Sequence, residues 1–183
     1  IVNNTEKEFG YEIELEELEI EILKDKVYFD KDGGVTFSGG EPLLQFEKIE
    51  PLLKSLKEKG INMCIETALM VSEKYLAIAL KYVDEFYVDV KILDDEICEK
   101  VLNGNINLYY KNLDKLFSEN KNVTLRLPMS EEYTITEKNT EKILELLKKY
   151  KPQNVEIFEL HTLGEKKYKA LNKEMQVFKK LGR

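Results

Sequence analysis

Residues 33–45 read Gly33-Gly34-Val35-Thr36-Phe37-Ser38-Gly39-Gly40-Glu41-Pro42-Leu43-Leu44-Gln45. The run Val35-Thr36-Phe37 is β-branched and aromatic and lies between glycine pairs, which predicts a short buried strand that ends in a tight loop. Two adjacent glycines let the backbone turn and approach a ligand without Cβ clashes, and Pro42 ends the strand. Glu41 places a carboxylate at the mouth of this loop, which indicates a site that captures a charged amine. A plain strand-to-helix turn is the alternative, and Gly-Gly-Glu alone does not exclude it.

The composition is that of a globular protein, and we expect one domain over residues 1–183. The chain is 43% hydrophobic and 34% charged, which is enough for a sizeable core. No run approaches the roughly 18 apolar residues of a membrane span, and the first residues do not read as a signal peptide. The formal net charge of -7 argues against a nucleic-acid-binding surface, which needs a clustered positive field.

Cysteine usage and the first residue bear on the origin of the chain. Cys64 and Cys98 are the only cysteines, which is too few for a secreted scaffold of several disulfides, so we expect a reducing cytoplasm. Their separation matches no metal-ligand spacing. Ile1 is not an initiator methionine, and we therefore expect the chain to be a processed product or a fragment.

Apolar periodicity predicts strands and helices in alternation. The predicted strands start at residues 35, 61, 85, 123 and 155, and Pro128 is expected to end the fourth. The predicted helices cover residues 12–24, a stretch with apolar residues at helical spacing from Phe46 to Leu56, then 72–82, 95–102, 107–119 and 137–150, with a last helix in the tail. In the second helix, Pro51 is expected near the first turn and Gly60 at the C-terminal cap.

This alternation is typical of βα units, which build a parallel sheet and curl it toward a barrel through right-handed crossovers. Five strands cannot close the usual eight-stranded barrel, so we expect an α/β fold with an open, partial, TIM-like barrel. In βα architectures ligands bind beyond the carboxyl ends of the strands. Functional residues are therefore expected at those ends.

Polar residues follow each predicted strand. In chain order they are Ser38-Gly39-Gly40-Glu41, Glu66-Thr67, Asp89 with Lys91, Arg126, and His161. The chain has one histidine, and Arg126 is its single internal arginine, yet both fall at predicted strand ends. Because lysine supplies nearly all other positive charge, the internal arginine suggests a need for a planar, bidentate donor such as a carboxylate clamp.

Each of these residues also has a purely structural interpretation. Glu66 would cap the next segment, and Lys91 would be a solvated turn lysine. Asp89 lies between apolar neighbours, so it is either a buried carboxylate with a partner or a site residue. For Arg126 a structural salt bridge and a ligand contact are equally open, and a lone histidine such as His161 is more often structural. The joint pattern of five polar ends converging on one mouth favours a binding site.

The string GGVTFSGGEPLLQ resembles the signature of radical S-adenosylmethionine (SAM) enzymes, specifically glycyl-radical-enzyme activating enzymes of the pyruvate formate-lyase activating type. Further motifs of that family follow in order over most of the chain. They are the acidic-Thr pair Glu66-Thr67, the Asp-x-Lys segment Asp89-Val90-Lys91, the arginine strand Val123 to Pro128, and the closing Leu160-His161-Thr162-Leu163-Gly164 with Lys167-Tyr168. The resemblance implies a partial (β/α)6 barrel whose first strand would lie before Ile1.

The resemblance also implies which residues bind SAM. By it, Gly40 and Glu41 hold the amine of the methionine moiety. Lys91 and Arg126 lie near its carboxylate, and His161 lies near the ribose. The full implied set is Ser38, Gly39, Gly40, Glu41, Glu66, Thr67, Asp89, Val90, Lys91, Arg126 and His161. Within it, Glu66, Thr67 and Asp89 would also offer a site for a monovalent cation. No catalytic side chain is identified.

Three departures from the family pattern concern the subfamily and the substrate. Leu69 stands where a glycine usually follows the acidic-Thr pair, and Cys98 stands for a histidine in the segment that ends at Gly104. The usual Pro-Gly-Asn-Asp region reads Pro128-Met129-Ser130-Glu131-Glu132. We interpret Cys98 as a small buried hydrophobe.

A fourth departure concerns the chemistry. Family members carry a Cys-x-x-x-Cys-x-x-Cys loop whose three thiolates hold a [4Fe-4S] cluster, and two scattered cysteines cannot supply it. We therefore expect the cluster loop to lie before Ile1 and the chain by itself to be inactive. In the intact protein the resemblance implies reductive cleavage of SAM to a 5'-deoxyadenosyl radical, which abstracts hydrogen from a glycine of a partner glycyl radical enzyme. A flavodoxin- or ferredoxin-type protein would supply the electron.

Two other functions stay open at this point. One is an aldolase-like barrel in which Lys91 forms a Schiff base, although two neighbouring acids would raise the pKa of such a lysine rather than lower it. The other is a non-catalytic or degenerate barrel that binds a ligand without the cluster.

Overall fold

The computed structural model describes residues 10–29 and 33–159. The helices are α1 (Leu15–Lys24), α2 (Phe46–Glu58), α3 (Glu73–Tyr82), α4 (Asp95–Leu102), α5 (Ile106–Ser118) and α6 (Glu137–Tyr150). The strands are β1 (Gly34–Phe37), β2 (Asn62–Thr67), β3 (Glu85–Asp89), β4 (Asn122–Met129) and β5 (Asn154–Glu159). Two 3-10 turns, Asp25–Tyr28 and Pro42–Gln45, follow α1 and precede α2. The predicted tail helix and His161 lie outside the described residues.

The five strands form one parallel sheet in the order β1-β2-β3-β4-β5. Neighbouring strands are also consecutive in the chain, and each connection contains at least one helix, as parallel pairing requires. The α/β fold with an open parallel sheet is thus confirmed. Among the described residues, no helix is both long enough and apolar enough to cross a membrane.

Successive side chains of each strand alternate between two unlike faces. One face packs against α2, α3 and α5 and is apolar; its strand residues include Met63, Ile65, Phe86, Val88, Val123, Leu125 and Leu127. Fully burying one such side chain contributes about 1.5–3 kcal/mol, so this face holds the sheet and helices together. The opposite face carries the alternate, polar positions: Thr36, Cys64, Glu66, Tyr87, Arg126 and Glu156. The sequence therefore packs one side of the sheet against helices and gives the other side a more polar surface.

Two proline predictions are wrong. Pro51 is the sixth residue of α2 rather than part of a first turn, because the 3-10 turn Pro42–Gln45 leads directly into the helix and starts it early. Pro128 does not end β4, which continues to Met129. Pairing with β3 stops at Arg126, so Pro128 lies where β4 pairs only with β5 and its missing N–H is tolerated.

The position of Arg126 also differs from the prediction. It is the fifth of eight residues in β4 rather than a strand end. Because the strands are staggered, its register partner is Asp89, the last residue of β3. Gly60, by contrast, follows α2 with a φ of +69°, as expected of a glycine at the end of a helix.

Candidate functional site

The Gly-Gly-Glu loop after β1 is open to solvent. Gly39 has a φ of +111°, a conformation that glycine adopts without a steric cost. A Cβ built at Gly39 or at Gly40 meets no heavy atom of residues 10–29 and 33–159 within 4 Å. Gly39 is therefore required by its own backbone, whereas nothing in the described structure requires Gly40 to lack a side chain. The free space beside Gly40 is what a ligand in contact with the loop backbone would need.

The Glu41 carboxylate is fixed at the mouth of this loop by three hydrogen bonds. Thr67 Oγ1 donates to Oε1 at 2.8 Å, the backbone N–H of Ala68 donates to Oε2 at 3.0 Å, and that of Leu43 donates to Oε1 at 3.3 Å. A carboxylate offers about four acceptor positions, so capacity remains for a further donor. A pre-oriented, half-buried anion with a spare acceptor position suits an ammonium group.

The segment after β2 is held in an unusual conformation. Leu69 is fully buried and has a φ of +60°, the left-handed region in which glycine is favoured. Its N–H donates to Thr67 Oγ1 at 2.8 Å. The buried Asn112 of α5 donates from Nδ2 to the carbonyls of Leu69 at 2.9 Å and Val71 at 2.8 Å. The position where the family usually has glycine thus keeps a glycine-like backbone although it carries a leucine.

The segment after β3 is held in a similar way. Lys91 Nζ lies 3.1 Å from Asp89 Oδ2. The side chain of Asn139, in the first turn of α6, accepts from the N–H of Leu93 at 2.7 Å and donates to the carbonyls of Lys91 at 2.9 Å and Thr134 at 2.8 Å. Asn139 is only 2% exposed, so it positions the Asp-x-Lys segment from within the core.

Glu41, Asp89 and Lys91 line one open cavity of about 420 Å³. The remaining lining residues are Leu44, Ala68, Met70, Val71, Leu102, Asn103 and Gly104. The lining therefore combines three charged side chains with mostly apolar residues. The structure brings together the Gly-Gly-Glu and Asp-x-Lys motifs, as the sequence predicted from strand ends.

Arg126 lies on the polar face of the sheet and pairs with protein carboxylates. Its Nη1 is 2.9 Å from Glu66 Oε1, and its Nε is 3.5 Å from Glu156 Oε2. Its guanidinium carbon lies 5.0 Å from the ring centroid of Phe158 and 5.9 Å from that of Tyr87. Of the two interpretations of Arg126 from the sequence, these contacts match the structural salt bridge. The contact of Arg126 with a ligand carboxylate stays a prediction.

Four other predicted residues take different places. Glu66 and Thr67 are successive residues of β2 and therefore face opposite sides of the sheet, and the monovalent cation site that they were predicted to share with Asp89 stays a prediction. No group of three or more His, Cys, Asp or Glu side chains that could hold a metal ion occurs in residues 10–29 and 33–159. Ser38 is exposed beside the loop, and Val90 is a core residue whose N–H donates to the carbonyl of Arg126 at 2.8 Å.

Comparison with known proteins decides the family. A family model described as the radical SAM superfamily matches residues 3–143. The chain belongs to the radical SAM superfamily. This confirms the resemblance carried by the Gly-Gly-Glu string.

Similar proteins of the radical SAM superfamily are named as activating enzymes. The chain is 36% identical over 170 residues to the (2S)-3-sulfopropanediol dehydratase activating enzyme of Klebsiella oxytoca, covering 90% of the chain and 53% of that protein. It is 35% identical over 165 residues to the pyruvate formate-lyase 2-activating enzyme of Escherichia coli (strain K12), covering 90% of the chain and 56% of that protein. The chain thus spans little more than half the length of these curated relatives.

Solved structures show the same fold. A domain of pyruvate-formate lyase-activating enzyme from Bacteroides vulgatus ATCC 8482 superimposes with a TM-score of 0.63 at 23% identity, covering 76% of the chain and 92% of that domain. Streptococcus suis SuiB bound to S-adenosylmethionine superimposes with a TM-score of 0.65 at 18% identity, covering 86% of the chain and 36% of SuiB. At these identities the likeness supports the radical SAM fold alone.

The two cofactors of the superfamily fit this chain unequally. An ammonium group such as that of SAM fits the Glu41 carboxylate and the open space beside Gly40. A [4Fe-4S] cluster does not fit, because the whole sequence has two cysteines, which lie on β2 and α4 and are both buried. Burial, followed by the charges of Glu85 and Glu66, raises the pKa of the Cys64 thiol to about 12, and burial raises the pKa of Cys98. Neither thiol is a ready thiolate ligand.

Asn112 and Asn139, which hold the two loops of the site, were not predicted from the sequence. A signal was nevertheless present. Each asparagine lies on the side of its helix where apolar residues recur. Leu113 and Leu116 are on that side of α5 with Asn112, and Ile143 and Leu146 are on that side of α6 with Asn139. A polar residue on the buried face of a helix must find hydrogen-bond partners, and here the partners are loop backbones.

Proposed function

We propose that this chain is the SAM-binding part of a radical SAM enzyme that activates a glycyl radical enzyme. The main observation behind the proposal is that three hydrogen bonds fix the Glu41 carboxylate. Free space lies beside it at the backbone of Gly40. The similar proteins named as activating enzymes support the choice of partner class.

In this proposal the chain binds and orients SAM. Glu41 receives the ammonium group, and the backbone at Gly40 lies against the ligand. Lys91 faces the same cavity and provides a positive charge for the carboxylate, while its ion pair with Asp89 limits its rotamers. Asn139 keeps this lysine in place through its backbone carbonyl.

The radical reaction belongs to the whole protein in this proposal. Hydrogen abstraction from a glycine of the partner enzyme requires a [4Fe-4S] cluster and an electron donor of the flavodoxin or ferredoxin type. Since the cysteines of this chain do not fit a cluster, we propose that the chain alone binds SAM weakly and generates no radical. A cluster would otherwise contribute to holding the amine and carboxylate.

Calorimetric titration of SAM into the chain tests the proposal. We expect weak binding that is reduced about tenfold by Glu41→Gln, which removes a charge-assisted hydrogen bond. Gly40→Ala is expected to weaken binding with no loss of thermal stability, because the added Cβ meets no atom in the described part of the chain. Glu58→Gln, which changes a carboxylate that is 68% exposed on α2, is the matched control. Tight binding that is insensitive to changes at Glu41 and Lys91 would contradict the site.

A Schiff-base lysine is not favoured by the structure. Such a lysine is activated by desolvation in an apolar pocket or by a second cation. The Lys91 side chain is instead 35% exposed and faces the Asp89 carboxylate. In borohydride trapping with a simple aldehyde, Lys91 should therefore be modified no faster than an ordinary surface lysine such as Lys54, which is 66% exposed.

A further inference from the structure

A second cavity, of about 280 Å³, lies on the polar face of the sheet at the amino ends of the strands. Its side-chain lining comes from Thr36 of β1, Asn62 and Cys64 of β2, and Glu85 and Tyr87 of β3. The proposed SAM site lies toward the other end of the sheet. Asp89, which lines that site, is four residues beyond Glu85 and therefore about 13 Å farther along β3.

Glu85 carries the single charge among the described lining residues of this cavity. Its Oε1 accepts a hydrogen bond from Asn122 Nδ2 at 3.2 Å. Within residues 10–29 and 33–159, no lysine or arginine nitrogen lies within 4 Å of this carboxylate. Burial, followed by the charge of Glu85, raises the pKa of Tyr87 and also that of the Cys64 thiol. Both groups are therefore uncharged near neutral pH, and the cavity is negative.

The rest of the polar face does not offset this charge. Arg126 is the one cation among the described strand residues of that face, and it lies between Glu66 at 2.9 Å and Glu156 at 3.5 Å. These three side chains together keep an excess of one negative charge. The face therefore attracts cations and disfavours anions.

Neutral polar groups without partners surround Glu85. The side chains of Asn62 and Tyr87 form no hydrogen bond in the described part of the chain. Hydroxyl and amide oxygens of this kind accept hydrogen bonds, and the ring of Tyr87 offers its face to a cation. A guanidinium group has five N–H donors in one plane, pairs with a carboxylate and stacks on an aromatic ring. The lining of the cavity suits such a group.

A metal ion fits this cavity less well than an organic cation. No group of three or more His, Cys, Asp or Glu side chains that could hold a metal ion occurs in residues 10–29 and 33–159. Ca²⁺ and Mg²⁺ require several oxygen ligands, and a protonated thiol such as that of Cys64 does not bind a metal. The volume lies just below the roughly 300–1,000 Å³ of pockets for drug-sized ligands, so a small organic cation is expected.

We propose that this cavity binds the guanidinium group of a ligand, with Glu85 as its counter-ion and the ring of Tyr87 against its plane. The site is separate from the proposed SAM site and does not depend on it. The cavity recognises the head group with a short alkyl stem, which a free small molecule and an arginine side chain of another chain share.

Ligand-observed nuclear magnetic resonance titration with n-butylguanidinium tests this site. We expect n-butylurea, which is uncharged and nearly identical in shape, to bind about tenfold more weakly. Glu85→Gln keeps the size of the side chain and an acceptor for Asn122, and it should weaken n-butylguanidinium binding about tenfold. Glu145→Gln, at an exposed position of α6, is the matched control and should leave binding unchanged.

Tyr87 gives a second, independent measurement. Tyr87→Phe keeps the ring and should retain binding, whereas Tyr87→Leu removes the ring and should weaken binding about fivefold. The site is wrong if n-butylguanidinium and n-butylurea bind equally, or if Glu85→Gln and the Glu145 control behave alike. It is also wrong if Glu41→Gln removes binding in place of Glu85→Gln, because the cation then occupies the Gly-Gly-Glu loop.

A tripeptide with a central arginine and blocked ends separates the two sources of the head group. Tighter Glu85-dependent binding of the tripeptide than of n-butylguanidinium identifies an arginine side chain of another chain as the ligand. Weaker binding of the tripeptide identifies a free small molecule. Saturating SAM should change neither affinity, because the two sites lie at opposite ends of the strands. Displacement of n-butylguanidinium by SAM would overturn the second site.

Discussion

The hydroxyl of Thr67 donates a hydrogen bond to the carboxylate of Glu41, with 2.8 Å between Oγ1 and Oε1. The two residues are 26 positions apart and join the end of β2 to the loop after β1. The same Oγ1 accepts from the N–H of Leu69 at 2.8 Å, and Thr67 is 2% exposed. One buried hydroxyl therefore orients the acid of the site and supports the left-handed turn beside it.

Replacing this hydroxyl tests its double role. Thr67→Val keeps the volume and the β-branched shape but removes both hydrogen bonds, and it leaves the Leu69 N–H unpaired. We expect a loss of about 1–3 kcal/mol in the free energy of unfolding by urea, together with weaker SAM binding. Thr124→Val is the control, because Thr124 is also buried but forms no side-chain hydrogen bond within residues 10–29 and 33–159. Equal effects of both substitutions would show that the Thr67 bonds do not matter.

The left-handed backbone of Leu69 predicts an unusual order of stability for its alanine and glycine variants. Leu69→Ala removes a fully buried side chain and should cost about 2–5 kcal/mol of unfolding free energy. Leu69→Gly removes slightly more but relieves a left-handed conformation that costs a non-glycine residue about 1–2 kcal/mol. We therefore expect the glycine variant to be no less stable than the alanine variant.

Leu93 provides the comparison for this pair. It is equally buried, and its φ is not positive. Leu93→Gly should therefore be less stable than Leu93→Ala by about 0.5–1 kcal/mol, since glycine loses more backbone entropy on folding. The same order at both positions, measured by urea unfolding, would contradict the interpretation of Leu69.

Asn139 is expected to control the position of Lys91. Asn139→Ala leaves the Leu93 N–H and two carbonyls without their partner, and each unsatisfied buried group costs about 1–3 kcal/mol. SAM affinity should fall along with stability, because the Asp-x-Lys segment loses its support. Asn107→Ala, at an exposed position of α5, should change neither quantity. A variant that loses stability but keeps full SAM affinity would limit Asn139 to a structural role.

The two cysteines should be unreactive in the folded chain. With a pKa of about 12, the thiolate fraction of Cys64 at pH 8 is about one in ten thousand, and it rises about tenfold with each further unit of pH. Ellman's reagent should therefore label neither thiol at pH 8 until denaturant is added, and anaerobic iron and sulfide should form no cluster on the chain. Lys54→Cys, at a side chain that is 66% exposed, should react at once. Rapid labelling of Cys64 or Cys98 before unfolding would contradict the burial argument.

Local patterns predicted most elements because apolar periodicity and glycine or proline positions act within a few residues. They failed at Pro128, where the outcome depends on whether β3 still runs beside β4. They also failed at Arg126, since the length of β4 decides whether that residue ends the strand. Both outcomes depend on the neighbouring strands of the sheet, and a local stretch of sequence carries no information about them.

The sequence by itself determined the order of βα units, the parallel sheet, the loop that carries Gly-Gly-Glu after β1 and the resemblance that the family match confirms. Tertiary structure alone decided that Thr67 holds Glu41, that Asn139 holds Lys91, and that Arg126 pairs with Glu66 and Glu156. The physical reason is that these contacts join residues far apart in the chain. Whether two such side chains meet depends on strand register, on stagger and on the face to which each points, and these are set when the whole sheet assembles.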